Sequence, residues 1–373
     1  MIATNRKIKL AIIGSRGYPY VYGGYETFVK ELSERIINHN VEVHIYCQKD
    51  LFIDKPKILN GIRLHYIPTL PQKSLNQLVH SFLSMLHVTF TNINIVLVVN
   101  LAAGPMGWLP KLSGKKVIIN TDGLEWERPK WKGLGGKYFR FGAWCATKFY
   151  DALISDADAM RQIYLNKFKC ESTVIAYGAP DYIERSTSLL KKFKLESRDY
   201  YLIVGRLIPD NNANLLIEEF LNSNSNKKLV VVGDVPYDDH YTKSLKALSS
   251  NKLIFTGYVR DQDELLTLYQ HCFVYLHGHE YGGTNPAMLK AMANKCAILA
   301  LDTVFNREML DNGEFGSFFA KKENSLKLKM EEIETKLTHT DFLRDNVSKG
   351  LTNKYNWDNV VKQYLSLFQK VLN

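Results

Sequence analysis

Residues 273–293 read FVYLHGHEYGGTNPAMLKAMA, and this stretch decides which fold the sequence predicts. Its first residues, Phe273–Leu276, form a short apolar run typical of a buried strand. Asn285 and Pro286 then mark a helix start, because Asn is favoured at an N-cap and Pro in the first helical turn. The residues that follow, Ala287–Ala293, have a helical pattern. A strand that leads through a glycine-containing loop into a helix is the repeating unit of a parallel α/β sheet.

The same alternation of short apolar runs and helical segments continues on both sides of this stretch. Candidate strands in the first half are Lys9–Ile13, Val41–Tyr46, Ile62–Ile67, Ile95–Val99, Lys116–Asn120, Ala152–Ser155 and Thr173–Ala176. Those in the second half are Tyr200–Val204, Lys228–Val232, Leu253–Thr256, Phe273–Leu276 and Ala297–Leu301. A length of 373 residues suits two domains of about 150–200 residues each. The sequence therefore predicts the α/β class, with two doubly wound, Rossmann-like domains that face each other across a cleft.

No segment predicts a membrane span or a disulfide framework. The longest apolar stretch, Ile93–Ala103, is about half of the roughly 20 residues needed to cross a bilayer. The apolar run after the first basic residues, Leu10–Ile13, is too short for a secretory signal. Five cysteines without a Cys-x-x-Cys pair favour a reducing compartment. We therefore expect a cytoplasmic protein.

The positive charge is confined to the first half of the chain. Residues 1–180 hold 23 Lys and Arg against 13 Asp and Glu, whereas residues 181–373 hold 25 of each. The whole net charge of +10 therefore belongs to the first half. A one-sided basic field favours anionic partners such as phospholipid headgroups or pyrophosphate-linked substrates.

The densest basic stretch, residues 128–150, interleaves cations with aromatic residues. This pattern suits a helix that lies on an anionic membrane surface. The alternative is an ordinary helix that packs its aromatics inward and leaves its lysines in water. Nucleic-acid binding is disfavoured because no recognised reading module accompanies the charge. We predict a membrane or acceptor surface made by Arg128, Lys130, Trp131, Lys132, Lys137, Arg140 and Trp144.

The glycines after the first strand do not predict a dinucleotide site. A dinucleotide fingerprint requires Gly-x-Gly-x-x-Gly and an acidic residue near the end of the second strand. Here position 16 is Arg, and the second strand ends at Gln48. NAD-dependent chemistry is therefore disfavoured, and so is a P-loop ATPase, because no Walker lysine motif occurs.

The second half predicts a site for a diphosphate. Arg206 follows a buried strand and Gly205, and a guanidinium there can bind a diphosphate with two parallel hydrogen bonds. Gly282 and Gly283 precede the Asn285 cap and leave backbone amides open to phosphate. His277, His279 and Glu280 could suggest zinc, but a third ligand at a clear spacing is lacking, so no metal is predicted.

These residues resemble the retaining glycosyltransferases of the two-Rossmann GT-B architecture, the large family numbered four, and within it the bacterial rhamnosyltransferase branch. The resemblance spans nearly the whole chain. The matching stretches are GSRGYPYVYGGYET (14–27), NTDGLEWERPKW (120–131), VGRLIPDNN (204–212) and residues 277–293. It implies an acceptor-side domain over residues 1–180, a donor-binding domain over residues 186–350, and a last helix, 356–373, that packs back on the first domain.

The resemblance also implies roles for particular residues. Gly23 and Gly24 match the loop near the donor phosphates, and Asp122 lies where such enzymes place a polar residue near the reacting sugar. The predicted catalytic residues are Arg206, Asp122 and Glu280. The predicted donor-binding residues are Gly23, Gly24, Gly205, Arg206, Asn211, Gly257, Tyr258, Val259, Gly282, Gly283, Thr284, Asn285 and Lys290.

Three positions depart from the wider family. Asn211 replaces a Lys, Gly282 replaces a Glu, and Lys290 replaces a Glu that normally accepts hydrogen bonds from ribose hydroxyls. The first two variants are normal for the rhamnosyl branch, whereas Lys290 is not, since Lys can only donate. Either Lys290 supplies the cation missing at position 211, or donor binding is weakened or lost.

The expected function is transfer of rhamnose from deoxythymidine-diphospho-rhamnose to a lipid-diphosphate-linked oligosaccharide. The anomeric configuration of the sugar is expected to be retained, and no metal or cofactor is expected. The transfer would serve capsule or O-antigen synthesis at the inner face of the plasma membrane, with peripheral attachment. One alternative is a catalytically impaired, nucleotide-sugar-binding partner subunit. A nucleotide-sugar epimerase of the same fold is less well supported, because it needs no lipid acceptor.

Overall fold

The computed structural model describes residues 7–20, 23–70, 73–121, 123–131, 133–235, 240–248, 250–351 and 353–373. The chain divides into two compact units. The first comprises Met1–Gly178 and Trp357–Asn373, and the second comprises Ala179–Asn356. Each unit is built on its own sheet.

The sheet of the first unit has the order β3-β4-β2-β1-β5-β6-β7-β8. Neighbouring strands in the described residues are parallel, except for the short β3–β4 pair. The strands are β1 (Ile8–Ile13), β2 (Val41–Gln48), β3 (Ile58–Leu59), β4 (Ile62–Ile67), β5 (Ile95–Val98), β6 (Lys116–Asn120), β7 (Ala152–Ser155) and β8 (Thr173–Val174). The helices are α1 (Gly24–Ile36), α2 (Lys73–Thr89), α3 (Trp108–Lys111), α4 (Leu134–Phe149) and α5 (Asp158–Phe168).

The central strands of this sheet contain continuous runs of buried apolar residues. In β1 the residues Leu10–Ile13 are fully buried, and so are the residues of β5. A parallel strand covered by helices on both faces needs such a continuous apolar run, because neither face meets water. This burial is why the two strands could be recognised in the sequence.

The sheet of the second unit has the order β11-β10-β9-β12-β13-β14, and all of its described pairs are parallel. The strands are β9 (Tyr200–Val204), β10 (Lys228–Val232), β11 (Leu253–Gly257), β12 (Val274–His277), β13 (Ile298–Leu301) and β14 (Ser317–Phe319). The helices are α6 (Ala213–Leu221), α7 (His240–Lys246), α8 (Gln262–His271), α9 (Pro286–Ala293), α10 (Val304–Met309), α11 (Ser325–Thr335) and α12 (Leu337–Val347). The predicted α/β class with two doubly wound sheets is confirmed.

The chain ends in helix α13 (Trp357–Leu372), which belongs to the first unit and packs against α1. The Phe28 ring of α1 lies 5.7 Å from the Tyr364 ring, and the Arg35 guanidinium lies 5.0 Å from the Trp357 ring. Gly178 is required beside this contact, since a Cβ there would lie 2.3 Å from the Trp357 ring. Among the described residues, none of the helices combines the length and hydropathy that a bilayer crossing requires.

Candidate functional site

The carboxyl ends of β9 and β12 lie side by side where the strand order of the second sheet reverses. From β9 the chain continues outward to β10 and β11 in one direction, and through β12 and β13 in the other. Open α/β sheets bind ligands in the crevice that such a switch point leaves. Arg206 follows β9 and the loop from Gly278 to Asn285 follows β12, so the topology brings these two predicted parts of the site to one edge.

Glycines let the backbone approach itself closely at this edge. A Cβ on Gly233, which follows β10 with φ 132°, would lie 1.9 Å from the Gly205 carbonyl oxygen. A Cβ on Gly278 would lie 2.5 Å from the Asn211 carbonyl oxygen. Positions 233 and 278 therefore have no room for a side chain, and bare backbone faces the crevice. Binding of an anion by amide groups requires such bare backbone.

Asn211 connects the loops that follow β9 and β12. Its Nδ2 donates to the Arg206 carbonyl oxygen at 2.8 Å, and its Oδ1 lies 2.6 Å from Nδ1 of His279. The amide at this position therefore fixes the shape of the turn that carries Arg206. A lysine could not accept the bond from His279.

Glu280 is held in place by groups from two segments, the loop after β9 and the segment after β14. Its backbone N–H donates to the Asp210 carbonyl at 3.1 Å, and its carboxylate accepts from Asn212 Nδ2 at 3.2 Å and Lys321 Nζ at 2.5 Å. Asn212 also donates to the Gly278 carbonyl at 2.9 Å. Sequence reasoning did not assign roles to Asn212 or Lys321. Asn212 lies in the motif VGRLIPDNN (204–212). Nothing in the sequence pointed to Lys321, which comes from the segment after β14.

The Arg206 side chain is exposed, and in the described part of the chain its guanidinium has neither a hydrogen bond nor an ion pair. The loop after β12 offers amide groups at the same edge. Gly282 has φ 114°, and neither its amide nor that of Gly283 has an acceptor among the described residues. Asn285 caps α9 by accepting from the amides of Ala287 at 2.9 Å and Met288 at 3.4 Å. One guanidinium and a short run of open amides can bind an anion here.

The loop after β11 contains the predicted nucleobase contacts. Gly257 ends the strand with φ 67°, Tyr258 is 54% exposed, and Val259 is buried. Lys290, on the second turn of α9, places its Nζ 3.4 Å from Oε1 of Gln262, the first residue of α8. Lys290 therefore reaches towards the end of this loop.

His277 is a neutral, buried group beneath the loop. Burial lowers the pKa of His277 to about 3, and its Nδ1 lies 3.1 Å from the hydroxyl of Tyr275. His279, the second histidine of the pair, is engaged with Asn211. Within the described residues, His, Cys, Asp and Glu side chains do not gather in groups of three that could hold a metal.

Comparison with known families accounts for both units. Residues 186–349 match the family described as glycosyl transferases group 1. This match covers most of the second unit. Residues 7–58 and 94–180, nearly all of them in the first unit, match a domain of unknown function, DUF1972.

Solved glycosyltransferase structures share the fold over nearly the whole chain. The Anabaena protein HepE in complex with UDP is 14% identical, with a TM-score of 0.77 over 97% of this chain and 100% of that chain. Sucrose-phosphate synthase of Thermosynechococcus elongatus is 15% identical, with a TM-score of 0.82 over 98% and 99% of the two chains. The fold is therefore the two-domain GT-B fold.

Sequence relatives match over shorter stretches. An N-acetylgalactosaminyltransferase of Campylobacter jejuni, whose name gives a diphospho-undecaprenol-linked saccharide as acceptor, is 24% identical over 172 residues, 45% of each chain. The chain spans 41% of the length of another relative, a probable sucrose-phosphate synthase of Thermosipho melanesiensis, at 25% identity. The chain therefore spans less than half the length of these two relatives.

In the DUF1972 unit, the glycine segment after β1 leads into α1. Gly23 is the N-cap of α1 and Gly24 its first residue. Arg16 lies beside this start, with its Nη1 3.3 Å from Oε1 of the buried Glu26. The third predicted catalytic residue, Asp122, lies outside the described residues.

A pocket of about 360 Å³ lies in the same unit, between the segment after β6 and helix α4. Four residues of the predicted acceptor surface line it: Arg128, Trp131, Lys137 and Arg140. Glu125 holds two of them, since its carboxylate lies 3.1 Å from Arg128 Nε and accepts from Trp131 Nε1 at 2.5 Å. Lys132 and the Lys130 side chain fall outside the described part.

Helix α4 has one buried face and one that mixes aromatics with cations. Phe139, Ala143 and Ala146 are buried, whereas Phe141 is 53% and Trp144 46% exposed. The exposed rings stack with centroids 6.0 Å apart. The exposed face also carries Lys137, Arg140 and Lys148. An ordinary amphipathic helix would have turned these two aromatics inward.

Proposed function

We propose that this protein transfers a sugar from a nucleoside diphosphate sugar to a lipid-diphosphate-linked glycan. The observation that carries the proposal is that the exposed Arg206 and the open amides of Gly282 and Gly283 follow two neighbouring strands at the same edge of the sheet. A charge-assisted donor combined with backbone amides suits a diphosphate, which carries several oxygens on two phosphorus atoms. The match of residues 186–349 to glycosyl transferases group 1, and the UDP complex of HepE, support a donor of this class.

Retention is proposed on the family resemblance, and the residues at the crevice favour a front-face route to it. A double-displacement route needs a carboxylate nucleophile beside the anomeric carbon. Gly282 occupies the position at which the wider family has a carboxylate. In the proposed front-face route, the bond from the anomeric carbon to the diphosphate breaks while the acceptor oxygen bonds to that carbon. The acceptor proton passes to the departing phosphate oxygen, and Arg206 and the amides stabilise the charge that develops there. The route uses no metal.

The donor proposed is deoxythymidine-diphospho-rhamnose, and the product a capsule or O-antigen polysaccharide. The support is the resemblance of residues 14–27, 120–131, 204–212 and 277–293 to the rhamnosyl branch. The exposed Tyr258 offers a ring beside the backbone of the predicted base loop. Glu280, held by Asn212 and Lys321, is proposed to orient sugar hydroxyls. Asp122 is likewise proposed to orient sugar hydroxyls.

The acceptor side is proposed to lie at the basic-aromatic face of the first unit. The pocket lined by Arg128, Trp131, Lys137 and Arg140 offers cations to a lipid diphosphate and rings to its sugar. The exposed Phe141 and Trp144, with Lys148 nearby on the same helix face, suit peripheral attachment to an anionic membrane. The diphospho-undecaprenol acceptor in the name of the Campylobacter relative supports a lipid-linked acceptor.

A second candidate function is a nucleotide-sugar-binding subunit without catalysis, and Lys290 favours it. Its Nζ lies beside Gln262, where a carboxylate would accept hydrogen bonds from a ribose. If the ribose, left without this acceptor, is misplaced, the fold could bind nucleotide without turnover.

Incubation of the purified protein with deoxythymidine and uridine diphospho-sugars, with and without membrane lipid acceptor, tests the proposal. We expect acceptor-dependent release of nucleoside diphosphate, and a loss of at least about 100-fold in Arg206→Ala, since charge stabilisation of this kind contributes several kcal/mol to catalysis. Undiminished transfer by Arg206→Ala would refute the assignment of the site. Binding without turnover would support the subunit, and release of a free epimer would point to an epimerase.

A further inference from the structure

A second pocket, of about 400 Å³, opens at the opposite edge of the second sheet. Arg198 precedes β9, His271 precedes β12 and Lys295 precedes β13, and all three line the pocket. Because these strands are parallel, their amino ends meet at one edge, while Arg206 lies at the carboxyl edge. The pocket is therefore separate from the candidate donor site.

Two guanidinium groups converge on one short piece of backbone in this pocket. Arg198 Nη1 donates to the carbonyls of Gln270 at 2.8 Å and Cys272 at 2.7 Å. Arg344, from α12, donates through Nη2 to the next carbonyl, that of Phe273. Burial first, and the charge of Arg198 second, lower the pKa of Arg344. Two like charges are therefore held within electrostatic reach of each other.

The charges of this pocket are only partly compensated by the protein. Arg344 is 9% exposed, and its Nε is buried without an acceptor among the described residues. Arg198 bonds to neutral carbonyls, and Lys295 places its Nζ 4.5 Å from the Tyr182 ring. Neither cation has a carboxylate within ion-pair distance in the described chain.

Carboxylates are present, but they lie on the solvent side. Asp341 pairs with Arg344 Nη1 at 2.7 Å and is 71% exposed, while Glu184 and Asp345 are exposed. The fourth cation, Arg185, pairs with Asp263, which does not line the pocket. Capping of the carbonyls at the end of α8 explains the bonds that Arg198 makes. It does not explain a second guanidinium and a lysine around the same cavity.

We propose that this pocket binds a phosphate-type anion, either inorganic phosphate or the phosphate group of a small metabolite. A dianion between Arg198, Arg344 and Lys295 would relieve the repulsion of the two guanidinium groups and accept charge-assisted hydrogen bonds from them. The cavity has room for a phosphorylated monosaccharide as well as for the free ion. The inference does not depend on the proposed transferase activity.

Titration calorimetry with inorganic phosphate and with glucose 1-phosphate tests this site. The pocket variants are compared in protein that carries Arg206→Ala, so that binding at the donor edge is weakened, and the unsubstituted chain is measured beside it. We expect phosphate to bind this protein, with the affinity reduced about tenfold or more by Arg198→Gln and several-fold by Lys295→Gln. Lys336→Gln, at an exposed lysine that does not line the pocket, is the matched control and should bind as its parent does.

Two outcomes would overturn the proposal. One is the absence of phosphate binding in Arg206→Ala when the unsubstituted chain binds, which would locate the anion at the donor edge. The other is equal affinity in Arg198→Gln, Lys295→Gln and their parent. Lys295 is exposed, so its variant should fold even if Arg198→Gln does not. If the site binds, tighter binding of glucose 1-phosphate supports a metabolite, and equal binding supports inorganic phosphate.

Discussion

The side-chain amide of Asn211 donates a 2.8 Å hydrogen bond to the carbonyl oxygen of Arg206 and at the same time lies 2.6 Å from His279. Asn211, one of the three positions that depart from the pattern of the wider family, thus forms the link between the two loops of the candidate donor site. Its role is positional, since it carries no charge and fixes the turn from which the Arg206 guanidinium extends.

Replacement of Asn211 by Ala should therefore weaken nucleoside diphosphate binding without unfolding the protein. We expect an affinity loss of about fivefold for UDP or dTDP, because two neutral hydrogen bonds near the site are removed. Calorimetry gives the affinity, and Asn222→Ala, an exposed asparagine after α6, is the control. Equal affinities in the two variants would exclude this role for Asn211.

Lys290→Gln separates the two hypotheses for Lys290. If Lys290 supplies a cation to the diphosphate, the variant should bind UDP or dTDP about tenfold less tightly and should bind the corresponding nucleoside as before. Lys336→Gln again serves as the control. Tighter binding of the diphosphate by Lys290→Glu would instead support the impaired donor site.

Gly233→Ala should destabilise the second unit strongly. The new Cβ would lie 1.9 Å from the Gly205 carbonyl, and the residue has φ 132°. We expect a loss of roughly 3 kcal/mol or more in the free energy of unfolding, measured in urea. Gly257→Ala, with φ 67° and no atom within 4 Å of its Cβ, should cost only about 1–2 kcal/mol. Similar losses in both variants would contradict the importance of the close approach.

The first unit should lose stability in mild acid. Burial lowers the pKa of His80 to about 4, and burial together with the neighbouring His44 and His87 lowers that of His65 to about 4. In the unfolded chain these groups bind protons below about pH 6.5. The stability that their neutral forms provide is therefore complete above pH 6.5 and falls as the pH drops towards 4.

His80→Leu should flatten this dependence, because the buried His80 contributes up to about 3 kcal/mol of it. Urea unfolding at pH 7.5, 6 and 5 measures the effect. His339→Leu, at an exposed position, should keep the slope of the unsubstituted protein. An unchanged slope in His80→Leu would mean that this histidine is not the source.

Membrane attachment should depend on the exposed rings of α4. Phe141→Ser combined with Trp144→Ser should reduce sedimentation with vesicles of anionic phospholipid by about tenfold or more, and added salt should weaken binding of the unsubstituted protein. Leu328→Ser, an equally exposed apolar residue in the second unit, is the control. Vesicle binding that is unchanged by the double substitution, by the content of anionic lipid and by salt would contradict the proposed surface.

The strands and the last helix could be predicted closely because their patterns are local. The predicted strand Tyr200–Val204 has those bounds in the structure, and the predicted last helix, residues 356–373, is observed as Trp357–Leu372. The strands β3 and β14 were missed, because two or three residues at a sheet edge carry too little pattern. The charge asymmetry and the glycine loops were likewise properties of the sequence alone.

Other features were decided only by the tertiary structure. Which aromatics of α4 face outward depends on what packs against the helix, so the sequence analysis assigned Trp144 to the predicted surface but not Phe141. The ion pair of Lys321 with Glu280 joins residues 41 positions apart. Arg198 and Arg344 line the same pocket because α12 lies at the amino edge of a sheet whose first strand comes far earlier in the chain. Local patterns fix strands and turns, whereas contacts between distant residues exist only after the sheet has brought its edges together.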